Sequence, residues 1–262
     1  MKTFKVKVAG ADIHVREWGA GEPIVFVHGL GAHGGSWVHQ VAVFSERFRM
    51  LAVDLCGFGE SDKPRDPARY SIDSLAEDIA GVAKELGLEH IRYVGTSMGG
   101  FIGATLALAH PELCRSLVLC HTAARMSIPP DVMSARLAAL QSMTMQEYAA
   151  LVIGQALEPS ADDELRAWLA DMIARNDPWA YTQTLSKGLA SFDARDRVGR
   201  IAVPTLVLNG EHDRIIPPEA GRELAGLIPG SRLVEIEHTN HLSYAERPSA
   251  FNEAVLPFVE RA

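Results

Sequence analysis

The chain has few cysteines, no basic stripe and no long hydrophobic run, and each absence excludes a class of protein. The 262 residues carry a net charge of −8, which argues against a nucleic-acid partner. The apolar stretch 101–109 is far too short to span a bilayer. The three cysteines, Cys56, Cys114 and Cys120, are odd in number and have no metal-like spacing. We therefore expect buried, reduced thiols, with no bound metal.

The remaining composition is that of an ordinary globular protein. Hydrophobic residues make up 47% of the chain and charged residues 22%, and a chain of this length fits one α/β domain. Residues 1–8 alternate between polar and apolar as a strand does, and they lack the apolar core of a signal peptide. We expect a cytoplasmic protein without a membrane segment. The oligomeric state stays open, a homodimer included.

The chain is organised around residues 90–110. A short apolar run that favours a strand leads into Gly95-Thr96-Ser97-Met98-Gly99, and an apolar run typical of a buried helix follows. A strand, a G-x-S-x-G turn and a helix form the context of a nucleophile elbow, which exposes the serine hydroxyl at the top of a sheet. The string alone is equally compatible with a simple Gly/Ser turn, so the rest of the chain must decide.

Strand and helix patterns alternate along most of the sequence, which predicts a mainly parallel sheet covered by helices. The pattern changes at residue 122, and 122–196 shows only helix signatures. Four helix starts are predicted there, by Pro129-Pro130-Asp131, by Thr144 with Glu147, by Ser160 with Asp163, and by Asp177 before a proline. We interpret 1–121 and 197–262 as the core domain and 122–196 as a helical cap, or lid, inserted over the sheet edge.

Two further residues complete a candidate catalytic set with Ser97. Asp213 and His241 lie in the loops that follow the two strands predicted after the cap, at 204–208 and 233–236, which gives the chain order Ser, Asp, His. A serine needs a base to take its proton, and the base needs a third group to fix its tautomer. Glu211 and His238 are competing residues in the same loops, and we favour His241 because it leads into the final helical region.

Backbone N–H groups of Leu30 and Met98 are the expected oxyanion donors, because Leu30 follows a strand end and Met98 follows the nucleophile. One pattern competes with this interpretation. Gly29, Gly31 and Gly34 form G-x-G-x-x-G after a strand, and Asp54 ends the next strand, as in a dinucleotide site. That alternative leaves the Ser, Asp and His set unexplained.

At this point the chain resembles the α/β-hydrolase family along nearly its whole length. The resemblance implies a mostly parallel sheet of about eight strands with helices on both faces and a helical lid, a Ser97–His241–Asp213 triad, and no cofactor. A non-catalytic ligand-binding protein remains a remote alternative. The segments that carry the resemblance are His28-Gly29-Leu30-Gly31, Asp54 with 57–62, Gly95 to Gly100, Gly210-Glu211-His212-Asp213, and His241 with Glu246 and Pro248.

Within that family the chain looks like 3-oxoadipate enol-lactonases, through segment 121–125 and through His241-Leu242-Ser243. This implies a small-molecule ester or lactone as substrate. The alternative is the meta-cleavage C–C hydrolases, which typically carry Trp where this chain has Leu242. Arg125 is a candidate partner for a substrate carboxylate, and Trp179 and Leu242 are candidates for the pocket wall.

Overall fold

The computed structural model describes residues 1–126 and 128–262, and its centre is one eight-stranded sheet in the order β1-β2-β4-β3-β5-β6-β7-β8. The strands are β1 (Lys2–Val8), β2 (Ala11–Trp18), β3 (Pro23–Val27), β4 (Arg49–Val53), β5 (Ile91–Thr96), β6 (Cys114–Cys120), β7 (Thr205–Gly210) and β8 (Arg232–Ile236).

The first two strands form an antiparallel hairpin, and β2 also pairs antiparallel with β4. All remaining pairs are parallel, from β4 through to β8. The carboxyl ends of β3 to β8 therefore meet at one edge of the sheet, where ligands bind in open α/β sheets. The predicted α/β-hydrolase architecture is confirmed.

Helices cover the sheet in two groups. The helices are α1 (Val38–Ser45), α2 (Ile72–Glu85), α3 (Met98–Ala109), α4 (Pro130–Ser142), α5 (Met145–Ala156), α6 (Asp163–Ala174), α7 (Pro178–Gln183), α8 (Pro218–Leu227), α9 (Ser243–Glu246) and α10 (Pro248–Arg261). Helices α1, α9 and α10 contact one another, and α2 packs against α3. Within the described ranges, no helix is long and apolar enough to cross a membrane.

Most helix starts agree with their sequence signals. Thr144 and Glu147 form a reciprocal capping box at α5, and the Asp177 side chain caps α7. The predicted start at Ser160 is wrong, because the Asp162 carboxylate accepts the Leu165 N–H at 2.7 Å and caps α6 instead. A carboxylate is a good cap at that point because it also faces the positive end of the helix dipole.

Helices α4 to α7 lie between β6 and β7 in the chain, followed by a π-helical turn, Thr184–Leu189. We call residues 122–196 the helical insertion. Within the insertion, the last turn of α5 is hydrogen-bonded to the loop after β8. The His241 N–H donates to the Ala156 carbonyl at 3.0 Å, and Asn240 Nδ2 donates to the Gln155 carbonyl at 2.9 Å. The insertion is thereby fixed above the carboxyl edge of the sheet.

Candidate active site

Ser97 occupies the sharp turn between β5 and α3. Its φ of 53° and ψ of −115° are unusual for a non-glycine residue and mark a strained turn. The turn needs glycine at Gly99, because a Cβ there would collide with the carbonyl oxygen of Val27. Ser97 N–H donates to the Cys120 carbonyl of the neighbouring strand at 2.8 Å. The side chain is half-buried at the sheet edge.

Asp213 and His241 meet at the same edge, where they follow β7 and β8. The Nδ1 atom of His241 lies 2.8 Å from Oδ2 and 3.0 Å from Oδ1 of Asp213. Both residues are buried, with exposed fractions of 4% and 6%. Asp213 can thus hold His241 in the tautomer that keeps its Nε2 free to accept a proton.

The two competing residues lie elsewhere. His238 and Glu211 are exposed, and the Glu211 carboxylate accepts the backbone N–H of His238 at 2.8 Å. Glu211 is therefore hydrogen-bonded to the exposed surface turn that contains His238, rather than to His241.

Asp213 is held as an anion. Burial alone would raise its pKa, but the electrostatic interaction with His241 and the hydrogen bonds from His121 and His241 outweigh burial and put the pKa of Asp213 well below its usual range. Its Oδ1 also accepts the N–H groups of Ile215 and Ile216, both at 2.9 Å. Both oxygens of the carboxylate therefore accept hydrogen bonds from the protein.

A cavity of about 340 Å³ opens beside Ser97 and His241, and the helical insertion supplies most of its wall. Core residues at its base include Gly29, Leu30, Ser97, His241 and Leu242. The wall from the insertion is mainly apolar and includes Met126, Val132, Leu151, Val152, Ile153, Leu169, Met172, Ile173, Leu185 and Leu189. Such a wall suits an apolar ring or acyl group.

The cavity lining contains one of the three residues predicted for the pocket. Leu242 lies in the wall, but Arg125 is exposed and its backbone pairs with Asp193, away from the lining. Trp179 packs edge-on against Tyr70 and also lies outside it. Among the described lining residues Arg136, from α4, has the one permanent charge. Sequence reasoning missed it because the helical pattern does not indicate which way α4 faces.

The turn after β3 lies against Ser97. A Cβ added at Gly29 would be 3.1 Å from the Cβ of Ser97, and Leu30 lines the cavity. His28 fixes this turn, because its Nε2 accepts the Leu55 N–H at 3.0 Å while its Nδ1 lies 2.7 Å from the Gly29 carbonyl oxygen. The backbone of Leu30, together with that of Met98 at the start of α3, is therefore near Ser97.

The pH dependence of folding should report on His28. Burial lowers the pKa of His28 to about 4, below its value of about 6.5 in the unfolded chain. Between these values the unfolded chain binds more protons, so this contribution to stability is lost as pH falls, by up to about 1.4 kcal/mol per pH unit. We expect His28→Asn to show a shallower loss of unfolding free energy in chemical denaturation between about pH 6.5 and pH 4.5. Equal slopes for the two proteins would contradict this assignment.

The glycine pattern after β3 has a structural role. Asp54, the expected ribose ligand of a dinucleotide site, is fully buried and accepts the N–H groups of Gly34 and Glu60 at 2.6 and 3.0 Å. His14 and Arg16 also bond its carboxylate. With four protein partners and no exposed surface, Asp54 has no free oxygen for a nucleotide hydroxyl.

His121, Asp213 and His241 also have the composition of a metal site, with ligand atoms within 4.8 Å of one another. However, the Nδ1 atoms of both histidines are within hydrogen-bond distance of Asp213. Metal binding would require both nitrogens to give up their protons and their hydrogen bonds. The arrangement fits proton transfer better than metal coordination.

The chain is similar to known proteins along most of its length. Residues 22–248 match the family described as alpha/beta hydrolase fold. The enol-lactonase of Burkholderia xenovorans is 32% identical, with a TM-score of 0.91, covering 98% of this chain and 99% of its own. The 3-oxoadipate enol-lactonase 2 of Acinetobacter baylyi is 28% identical, with 91% of this chain and 88% of that protein covered. The 2-hydroxy-6-oxo-6-(2'-aminophenyl)hexa-2,4-dienoic acid hydrolase of Metapseudomonas resinovorans is 27% identical, with 98% and 90% covered. These matches confirm the resemblance that the sequence motifs indicated.

Proposed function

The chain belongs to the alpha/beta hydrolase fold family and is a hydrolase, and we propose that it cleaves a small-molecule ester or lactone through an acyl-enzyme on Ser97. One observation carries the proposal. Ser97 and His241 line the same cavity, and Asp213 is hydrogen-bonded to the far side of the His241 ring.

In this mechanism His241 takes the Ser97 proton as the serine oxygen attacks the carbonyl carbon. The N–H groups of Leu30 and Met98 stabilise the oxyanion, and the start of α3 adds its dipole. The protonated His241 then donates to the leaving alkoxide, and it afterwards activates the water that hydrolyses the acyl-enzyme.

The proposal is tested by labelling with a fluorophosphonate probe, followed by intact mass measurement and peptide mapping. A single adduct on Ser97 that is lost in His241→Ala supports an assembled serine hydrolase site. His238→Ala serves as the matched control and should label normally, since His238 is exposed. Labelling elsewhere, or equal labelling of the His241 variant, would contradict the mechanism.

C–C bond hydrolysis of a meta-cleavage product is the second candidate, favoured by the similarity to the Metapseudomonas resinovorans enzyme. The two candidates differ in product. Turnover of lactones and esters, measured against turnover of a ring-cleavage dienoate under the same conditions, decides between them.

Arg136 should determine whether the enzyme prefers acidic substrates. A guanidinium in an apolar wall binds a carboxylate by charge-assisted hydrogen bonds, each worth about 1.5–3 kcal/mol. We expect Arg136→Gln to lower kcat/KM for an ester that carries a free carboxylate by about 10- to 100-fold and to leave the neutral analogue nearly unchanged.

Arg125→Gln is the matched control for this prediction, because Arg125 is exposed and outside the cavity lining. A selective loss of kcat/KM for the acidic ester in the Arg125 variant, with none in the Arg136 variant, would show that Arg125 binds the substrate carboxylate. Equal losses for the acidic and the neutral ester in Arg136→Gln would show that Arg136 only shapes the wall.

A further inference from the structure

His121 is a second histidine on the carboxylate of Asp213, and the mechanism above does not use it. It directly follows β6 and is fully buried. Its Nδ1 lies 3.1 Å from Oδ2 of Asp213, and its Nε2 lies 2.7 Å from Oγ of Ser243. Its ring centroid is 5.5 Å from that of His241 at an interplanar angle of 64°. Two imidazoles therefore flank one carboxylate.

The backbone imposes this orientation. His121 has a φ of 49°, in the left-handed region, and its N–H donates to the Leu208 carbonyl of β7 at 2.7 Å. The parallel pairing of β6 with β7 places it beside the loop that holds Asp213. A non-glycine residue in this conformation is uncommon, and such strain often lies at functional sites.

The hydrogen bonds fix the tautomer of His121. The backbone N–H of Ser243 points at Nε2 from 3.4 Å, and an N–H group can only donate. Ser243 is the first residue of α9, so this N–H has no acceptor within its own helix. Nε2 is therefore the acceptor, and the ring proton is on Nδ1, directed at Asp213. Burial lowers the pKa of His121, which favours this neutral form.

His241 Nδ1 lies within hydrogen-bond distance of both oxygens of Asp213, and the two oxygens differ in their other donors. Oδ1 accepts the N–H groups of Ile215 and Ile216. Oδ2, the oxygen closest to His241, has His121 as its second donor. Without His121, only His241 would donate a hydrogen bond to Oδ2, and His241 is the group that Oδ2 must orient.

We propose that His121 is a positioning residue, which as the Nδ1–H tautomer fixes the rotation of the Asp213 carboxylate that receives the Nδ1 proton of His241. This rests on the proposed acyl-transfer function. It acts through Asp213 and not on substrate, because His121 is outside the cavity lining. Its effect is therefore on kcat rather than on KM.

The test compares three variants by steady-state kinetics on one ester. His121→Ala and His121→Gly remove the donor, and glycine also suits the positive φ, which keeps the test valid if alanine destabilises the fold. We expect both to lower kcat by about 10²-fold, with KM within about threefold of wild type, as for a misplaced catalytic group. His121→Asn tolerates the same φ and places an amide N–H where Nδ1 was, so it should recover kcat to within about tenfold of wild type.

A ring ¹⁵N NMR spectrum of the wild-type protein, with the His121 signals assigned from His121→Asn, gives a readout that does not depend on turnover. A protonated Nδ1 and an unprotonated Nε2 are expected at His121. The reverse tautomer, wild-type kcat in the glycine variant, or an asparagine variant no better than glycine would each overturn the proposal. A wild-type protein that hydrolyses no ester or lactone refutes the proposed function instead, and the spectrum still reports the tautomer.

Discussion

Replacing Ser97 by alanine is expected to lower kcat for ester hydrolysis by about 10⁴- to 10⁶-fold, because the substitution removes the hydroxyl that is proposed to form the acyl-enzyme. The fold should not suffer, since alanine keeps the Cβ and the same backbone conformation at φ 53°. The measurement is kcat for both proteins at matched protein concentration, paired with thermal unfolding of both proteins.

The Ser97→Ala variant also separates an enzyme from a binding protein. The cavity wall is unchanged by the substitution, so the variant should retain affinity for substrates or products, measured by calorimetry or fluorescence. Retained binding with kcat reduced by no more than tenfold would contradict the serine mechanism. Ser97→Cys is a useful companion, because a thiol at the same position remains a nucleophile and should still react with electrophilic probes.

The meeting of Ser97, Asp213 and His241 at one edge of the sheet could be predicted from the sequence because it depends on chain topology. Ser97, Asp213 and His241 each follow a predicted strand, and parallel strands bring their carboxyl ends to one edge. The turn at Gly99 is likewise determined locally, by the close approach of the Val27 carbonyl. Constraints of this kind can be recognised in the sequence as motifs and strand ends.

The cavity wall could not be predicted in the same way. Whether Arg125 or Arg136 lines the cavity depends on how α4 packs over the core. Helical periodicity identifies the faces of a helix but does not identify the elements that each face contacts. His121 was missed as a partner of Asp213 for a related reason. Its contact requires the pairing of β6 with β7, a positive φ and the start of α9 together, and none of these is visible as a motif.

Replacing Asp213 by asparagine should reduce kcat by about 10⁴-fold, although the side chain keeps its size and shape. The N–H groups of Ile215 and Ile216 both donate to Oδ1, so the asparagine carbonyl oxygen must occupy that position. The amide nitrogen then replaces Oδ2 and donates toward Nδ1 of His241. This selects the tautomer of His241 with the proton on Nε2, which can no longer accept the proton of Ser97.

The same amide nitrogen would also face Nδ1 of His121, whose tautomer is fixed by the Ser243 N–H. Two donors would then point at each other in a buried site, so Asp213→Asn should lower the melting temperature as well as kcat. Glu211→Gln is the matched control, because the Glu211 carboxylate is exposed and bonded to the surface turn. We expect its kcat and melting temperature to stay near wild type. An Asp213→Asn enzyme with kcat within tenfold of wild type would show that His241 is oriented by some other group.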